Sequence, residues 1–178
     1  MFWEVIDFWF EETEPTQWFA KNAAFDEQIR QQFAVVHQRA CAGELWHWRR
    51  EPHGRLAEVI VLDQFSRNLF RDSPRAFAQD GMALVMAQEA VQQRADLELN
   101  TIQRNFLYMP FMHSESLRVH DEGGRLFAQN GIENTLLFER RHREIIERFG
   151  RYPHRNAVLG RESTEAESLF LQQPGSSF

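Results

Sequence analysis

The chain has 178 residues, of which 43% are apolar and 26% charged, an ordinary globular composition with enough length to bury a core without staples. Its formal charge of -6 counts against a sequence-independent nucleic-acid binder, and no apolar run is long enough to predict a membrane span. The acidic start (Glu4, Asp7, Glu11, Glu12) is unlike a secretory leader. The single cysteine, Cys41, cannot form an internal disulfide, so the expected compartment is the reducing cytoplasm.

Helical spacing recurs along the chain and strand signals are lacking. Phe2 to Phe10 reads as a short aromatic helix, and Pro15 suits the first turn of a second short segment holding Trp18 and Phe19. From about Ala24, the residues Phe25, Ile29, Phe33, Val36 and Ala40 recur at three and four, and Gly43 closes that helix. Glu51-Pro52-His53-Gly54 reads as a turn, after which Leu56, Val59, Ile60 and Asp63 begin the next helix. Asp72-Ser73-Pro74 predicts a start, with Phe77, Leu84, Ala87 and Val91 on one side of the helix that follows.

Asn100 and Gln103 form a capping box for a helix that holds Phe106 and Leu107 and meets Pro110. Ser114 opens another helix to about Gln129, weakened at Gly123-Gly124 by about 1 kcal/mol per glycine. A helix from Asn134 or Thr135 ends at Phe149-Gly150, and Thr164 with Glu167 caps a final one to about Leu171. The expected architecture is all-α: eight to nine helices joined by short loops into one domain over residues 1–172, with a frayed tail over 173–178.

Functional signals come from polar residues placed where apolar ones belong. Phe138, His142, Ile145 and Phe149 share a helix face, which aims His142 inward, either as a buried neutral imidazole or as a site histidine. Asp63 and Arg67 are one helical turn apart on an apolar stripe; the pair either pins two helices together or holds Arg67 for an anion. Arg104 and Tyr108 form a second pair at the same spacing. His113 and His120 can share a face, but neither HExxH nor a cysteine pair accompanies them, so no metal and no cofactor is expected.

The densest stretch runs from Arg151 to Thr164. It offers His154, Arg155, Asn156 and Arg161 before a helix N-terminus, a set suited to a phosphate or carboxylate, or to capping and pairing with Glu162 and Glu165. Lys21 is the only lysine; the rest of the basic charge is arginine, whose planar fork matches such anions. Cys41 reads as a small buried apolar residue, and Trp46 and Trp48 as a packed helix end or a partner surface.

These residues also carry a family resemblance. Asp-Phe-Trp-Phe at 7–10, Trp-Phe at 18–19, Phe-Asp at 25–26, Leu-Asp-Gln-Phe-Ser-Arg-Asn at 62–68 and Ala-Phe at 76–77 belong to it. So do Tyr-Met-Pro-Phe-Met-His-Ser-Glu at 108–115, Phe-Gly-Arg-Tyr-Pro-His-Arg-Asn at 149–156 and Leu-Gly-Arg-Glu-Ser-Thr at 159–164. Over about Val5 to Leu171 the chain resembles bacterial domain-of-unknown-function family 924. The resemblance implies an all-α fold of antiparallel helix pairs in a tetratricopeptide-like layer, and no established activity. Ser66 stands where that pattern usually has proline, His120 where it has glutamine, Asn22 where it has aspartate and Asp72 where it has glycine.

The expected function is binding of a small anionic ligand or a peptide carboxylate in an Arg/His-lined cleft. Arg67, Arg104, Tyr108, Arg155, Asn156 and Arg161 would be its binding residues. The alternative is a hydrolase or transferase acting at a phosphoryl or acyl centre, with His113, His142 or His154 as general acid or base and Asp63 orienting a partner. Neither nucleic acid nor membrane is an expected partner; a protein partner is compatible with the surface aromatics.

Overall fold

Ten α-helical stretches follow one another, and no strand occurs among the described residues, 1–177 of a computed structural model. Helix α1 (Phe2–Asp7) is prolonged by a π-helical turn, Phe8–Glu12, so that Val5, Ile6, Phe8 and Trp9 all point into the core. The stretch after Pro15 is a turn instead of a helix. Gln17 N donates to Glu14 O at 2.8 Å, and Trp18 Nε1 donates to Trp9 O at 2.8 Å, which folds the indole back over α1. Helix α2 (Ala23–Cys41) is capped by Asn22, whose Oδ1 accepts from Ala24 N and Phe25 N.

Helix α3 (Pro52–Ile60) begins at Pro52, inside the expected turn. Gly54 is the reason: any Cβ there would overlap the Trp48 carbonyl oxygen, so glycine lets the helix start press against the Trp46–Arg50 turn. The rod then widens into a π-helical segment, Val61–Phe65, and ends as α4 (Ser66–Leu69). Ser73 accepts from Arg75 N, but the start it signals yields only the 3-10 turn Pro74–Ala76. Helix α5 (Asp80–Gln92) therefore begins after Phe77 instead of including it.

Helix α6 (Thr101–Met112) has the expected capping box and passes through Pro110. Helix α7 (Leu117–Asn130) starts later than Ser114, and α8 (Glu133–Phe149) closes at Gly150, in the left-handed region at φ +68°. The last elements are α9 (Asn156–Leu159) and α10 (Glu165–Phe170), the latter with the Thr164–Glu167 capping box. Residues 173–177 of the expected tail hold turns, with Ser176 Oγ donating to Leu171 O at 3.1 Å; Phe178 lies outside the described residues.

Helices α5 to α8 are joined by short connections and each packs on the next, the helix-pair layering that the resemblance implies. Gly123 lets α7 approach its neighbours: a Cβ there would sit 3.1 Å from Phe111 Cβ and 3.3 Å from Glu139 Oε1. One large apolar core runs through α1 to α7, with Trp9 edge-on to Phe65 and Phe106 at 5.6 Å each. Burying each such side chain stabilises by about 1.5–3 kcal/mol. A much smaller cluster of Ile145, Ile146 and Tyr152, backed by Phe149 and Phe170, lies under the C-terminal layer. The site residues sit where these two regions meet.

Candidate functional site

Asp63 is fully buried on the π-helical segment, where one extra residue per turn re-aims side chains. Its Oδ1 accepts from His113 Nδ1 at 2.7 Å and lies 3.0 Å from Arg67 Nη1, while Gln64 Nε2 donates to Oδ2 at 2.6 Å. Arg67 also reaches Asp80 with both terminal nitrogens, at 3.0 and 3.2 Å. Arg155 Nη1 donates to the same Asp80 at 3.1 Å, and its Nη2 donates to His113 O at 3.0 Å. The chain Asp63–Arg67–Asp80–Arg155–His113 thus closes on itself, tying α4, α5, the end of α6 and the Pro153–Arg155 turn into one ring.

Aromatic faces hold the guanidinium planes. Arg155 Cζ lies 4.5 Å from the Phe77 ring centroid and 4.7 Å from that of Tyr152, and Arg67 Cζ lies 5.7 Å from Phe77. Tyr152 is the hub of the site. It is completely buried, its hydroxyl donates to Met112 O at 2.5 Å, and its ring lies 5.7 Å from both His142 and His154.

A second layer buttresses that hub. Glu115 accepts Tyr152 N at 2.8 Å and receives the Arg161 fork at 2.7 and 2.9 Å. Arg161 Nε also donates to Asn156 Oδ1 at 2.9 Å. Beyond it, Arg151 holds the buried carboxylate of Glu167 through two hydrogen bonds, at 2.6 and 2.8 Å. His120 is buried too: its Nδ1 faces Glu139 Oε1 at 2.7 Å and its Nε2 faces Ser114 O at 2.9 Å. Among the described residues no group of three or more His, Cys, Asp or Glu is placed to hold a metal ion.

The electrostatics follow from burial and pairing. Burial pushes the Asp63 carboxyl up, but the Arg67 charge and the His113 contact overcome it and hold the group well below the usual range. Burial lowers His113 and the neighbouring Arg67 lowers it further, against the opposing pull of Asp63 and Asp80, which favours the neutral imidazole. Burial takes His142 down to about 3; burial together with Arg155 takes His154 down to about 4. Burial raises the Glu115 carboxyl, and the Arg161 hydrogen bonds, the Tyr152 N–H and the charges of Arg161 and Arg155 together bring it below its ordinary value.

The structure therefore brings together Asp63, Arg67, His113, His142, His154, Arg155, Asn156 and Arg161. It does not bring Arg104 or Tyr108 to them. Arg104 donates to Asn130 Oδ1 at 3.0 Å and Tyr108 to Asp96 Oδ2 at 2.6 Å, back along α6 toward its N-terminus. The helical spacing of this pair misled, because each residue has a nearer partner on another element. The arginines are not left unpaired for an anion: Arg67, Arg155 and Arg161 each face a carboxylate distant in sequence. Sequence reasoning missed Asp80, which carries no local signal beyond an acidic side chain; Gln64 and Glu115 lie within the motifs at 62–68 and 108–115 but received no role there. Cys41 is half-buried beside His37, Trp48 is buried and Trp46 is exposed.

Residues 5–175 match a family model described as bacterial protein of unknown function (DUF924). The fold matches the solved structure of a protein of unknown function, ATU0120 from Agrobacterium tumefaciens, with a TM-score of 0.92 and 36% identity over 96% of each chain. A comparison with curated proteins returns no match. Among the described residues no helix is long and apolar enough to cross a membrane.

Proposed function

We propose, for a chain that belongs to the bacterial DUF924 family, that the ring around His113 and Arg155 binds a small carboxylate, either a free acid or a peptide C-terminus. One observation carries the reading. Arg155 Nε is buried and has no hydrogen-bond acceptor among the described residues, although the rest of its guanidinium is fixed by Asp80, His113 O and two aromatic rings. A buried donor left without an acceptor costs about 1–3 kcal/mol, which a ligand oxygen recovers.

Charge balance supports a carboxylate over a phosphate dianion. Arg67 and Arg155 are already matched by Asp63 and Asp80, so the ring has no positive charge to spare, and a monoanion adds less uncompensated charge there than a dianion. His142 and His154 are held neutral by burial and add none at pH 7. The single thiol supports a working place in the reducing cytoplasm.

Thermal unfolding tests this by mass action. Millimolar acetate, benzoate or a short peptide with a free C-terminus should raise the Tm by several degrees; inorganic phosphate and the amidated peptide should do less. Arg155→Lys keeps a charge for Asp80 but removes the Nε donor, and should abolish the rise. No shift with any carboxylate, or an equal shift in Arg155→Lys, contradicts the proposal.

A further inference from the structure

We infer that His113 is a general base for hydrolysis of a small carboxylic ester or amide, and that the carboxylate held at Arg155 is the product of that reaction. The inference rests on the binding reading above and adds a chemical step to it.

The hydrogen bonds fix the tautomer. The Asp63 carboxylate accepts from Gln64 Nε2 and faces Arg67, so it is ionised and has no proton to give. The proton between it and His113, across 2.7 Å, therefore belongs to Nδ1. The lone pair of the neutral ring is left on Nε2. That nitrogen makes no hydrogen bond among the described residues, and the His113 side chain is 15% exposed, so water reaches it. A buried carboxylate behind an imidazole whose outer nitrogen is open is the base-and-orienter half of a hydrolytic site.

Three other buried histidines lack this combination. His120 has both nitrogens facing acceptors, His37 shares its Nε2 with Ser66 Oγ at 2.8 Å, and His142 donates Nδ1 to Phe138 O at 2.8 Å on its own helix.

In the step, His113 Nε2 takes a proton from water while the water oxygen bonds to the acyl carbon. The carbonyl π pair moves onto its oxygen, and Arg155 Nε–H is the donor available to that oxyanion. As the intermediate collapses, the C–O or C–N bond breaks and the leaving alcohol or amine takes the proton from Nε2. The carboxylic acid left behind loses its own proton to solvent water and is released as its carboxylate, and Asp63 stays ionised as a positioning residue.

The test uses p-nitrophenyl acetate, an uncharged ester. Wild type should cleave it at least ~10-fold faster than H113Q, the low end of what general acid–base groups supply; H47Q, on the 46–50 turn, should match wild type. D63N should lower the rate, and ¹⁵N spectra of its His113 ring should show loss of the single Nδ1–H tautomer, a change that looser packing alone does not produce. Should D63N fail to fold, carbethoxylation of wild type serves: diethyl pyrocarbonate should label His113 well ahead of buried His120. Equal ester rates in wild type and H113Q, or labelling of His113 no faster than of His120, overturns the inference. A retained acetate-induced Tm rise with equal ester rates removes catalysis alone; loss of that rise removes the binding reading.

Discussion

The two sides of the molecule are held by different forces. From α1 to α7 the chain packs Trp9, Phe25, Phe33, Phe65 and Phe106 into one apolar mass, where the stabilising term is area removed from water. The C-terminal layer has only a small apolar cluster and is fastened by Arg155–Asp80, Arg161–Glu115 and Arg151–Glu167. The first kind of contact ignores pH. The second is conditional on protonation, and it is the one that carries the candidate site.

The largest effects should come from the heart of each region. Trp9→Ala is expected to cost about 3–5 kcal/mol in urea unfolding, by the same amount at pH 5 and pH 8. Asp63→Ala removes one of the two carboxylates of Arg67 and the buried acceptor of His113 and Gln64, and should also cost about 3–5 kcal/mol. If Trp9→Ala proved pH-dependent, the contrast between the regions would break.

Acid should come next. His142 and His154 have folded pKa values of about 3 and about 4, below the ordinary 6.5, so the unfolded chain binds more protons. Their contribution is present above pH 6.5 and is lost as pH falls from there toward 4 and 3. Asp63 and Glu115 are also depressed, so their contribution is present above the ordinary carboxylate pKa and goes as pH falls further. All these groups act in one direction: the C-terminal layer loosens in acid, beginning near pH 6. All five tryptophans lie between positions 3 and 48, so their fluorescence reports the other region. Hydrogen exchange in α8 to α10 should rise before tryptophan emission changes; simultaneous changes would contradict this.

Smaller effects sharpen the same contrast. Glu115→Gln weakens hydrogen bonds from Arg161 and Tyr152 N and should cost about 1.5–3 kcal/mol, read by urea unfolding, with the loss shrinking in acid. Asp72→Gly should gain less than about 1 kcal/mol by the same assay, since Asp72 sits at φ +59°, where glycine is at ease. Arg143→Ala, at an exposed ion pair with Asp121 and Glu147, should stay within about 0.5 kcal/mol.

Local chemistry made much of this legible in the sequence. Both capping boxes, at Asn100 and Thr164, the glycine stops at Gly43 and Gly150, the inward aim of His142 and the Asp63–Arg67 pair all depend on neighbours within one or two turns. What escaped depends on chain segments far apart. Asp80 joins two arginines that lie about half the chain length apart in sequence. The π-helical turn at Val61–Phe65 leaves no periodicity signal, and Arg104 and Tyr108 were drawn elsewhere by Asn130 and Asp96.

The most direct measurement is the ¹H–¹⁵N resonance of Arg155 Nε during a titration with acetate at pH 7. Binding to the buried donor predicts a saturable downfield movement of that proton at millimolar acetate, absent for the Arg143 Nε. A resonance that stays still up to tens of millimolar acetate, in a protein that remains folded, contradicts the account.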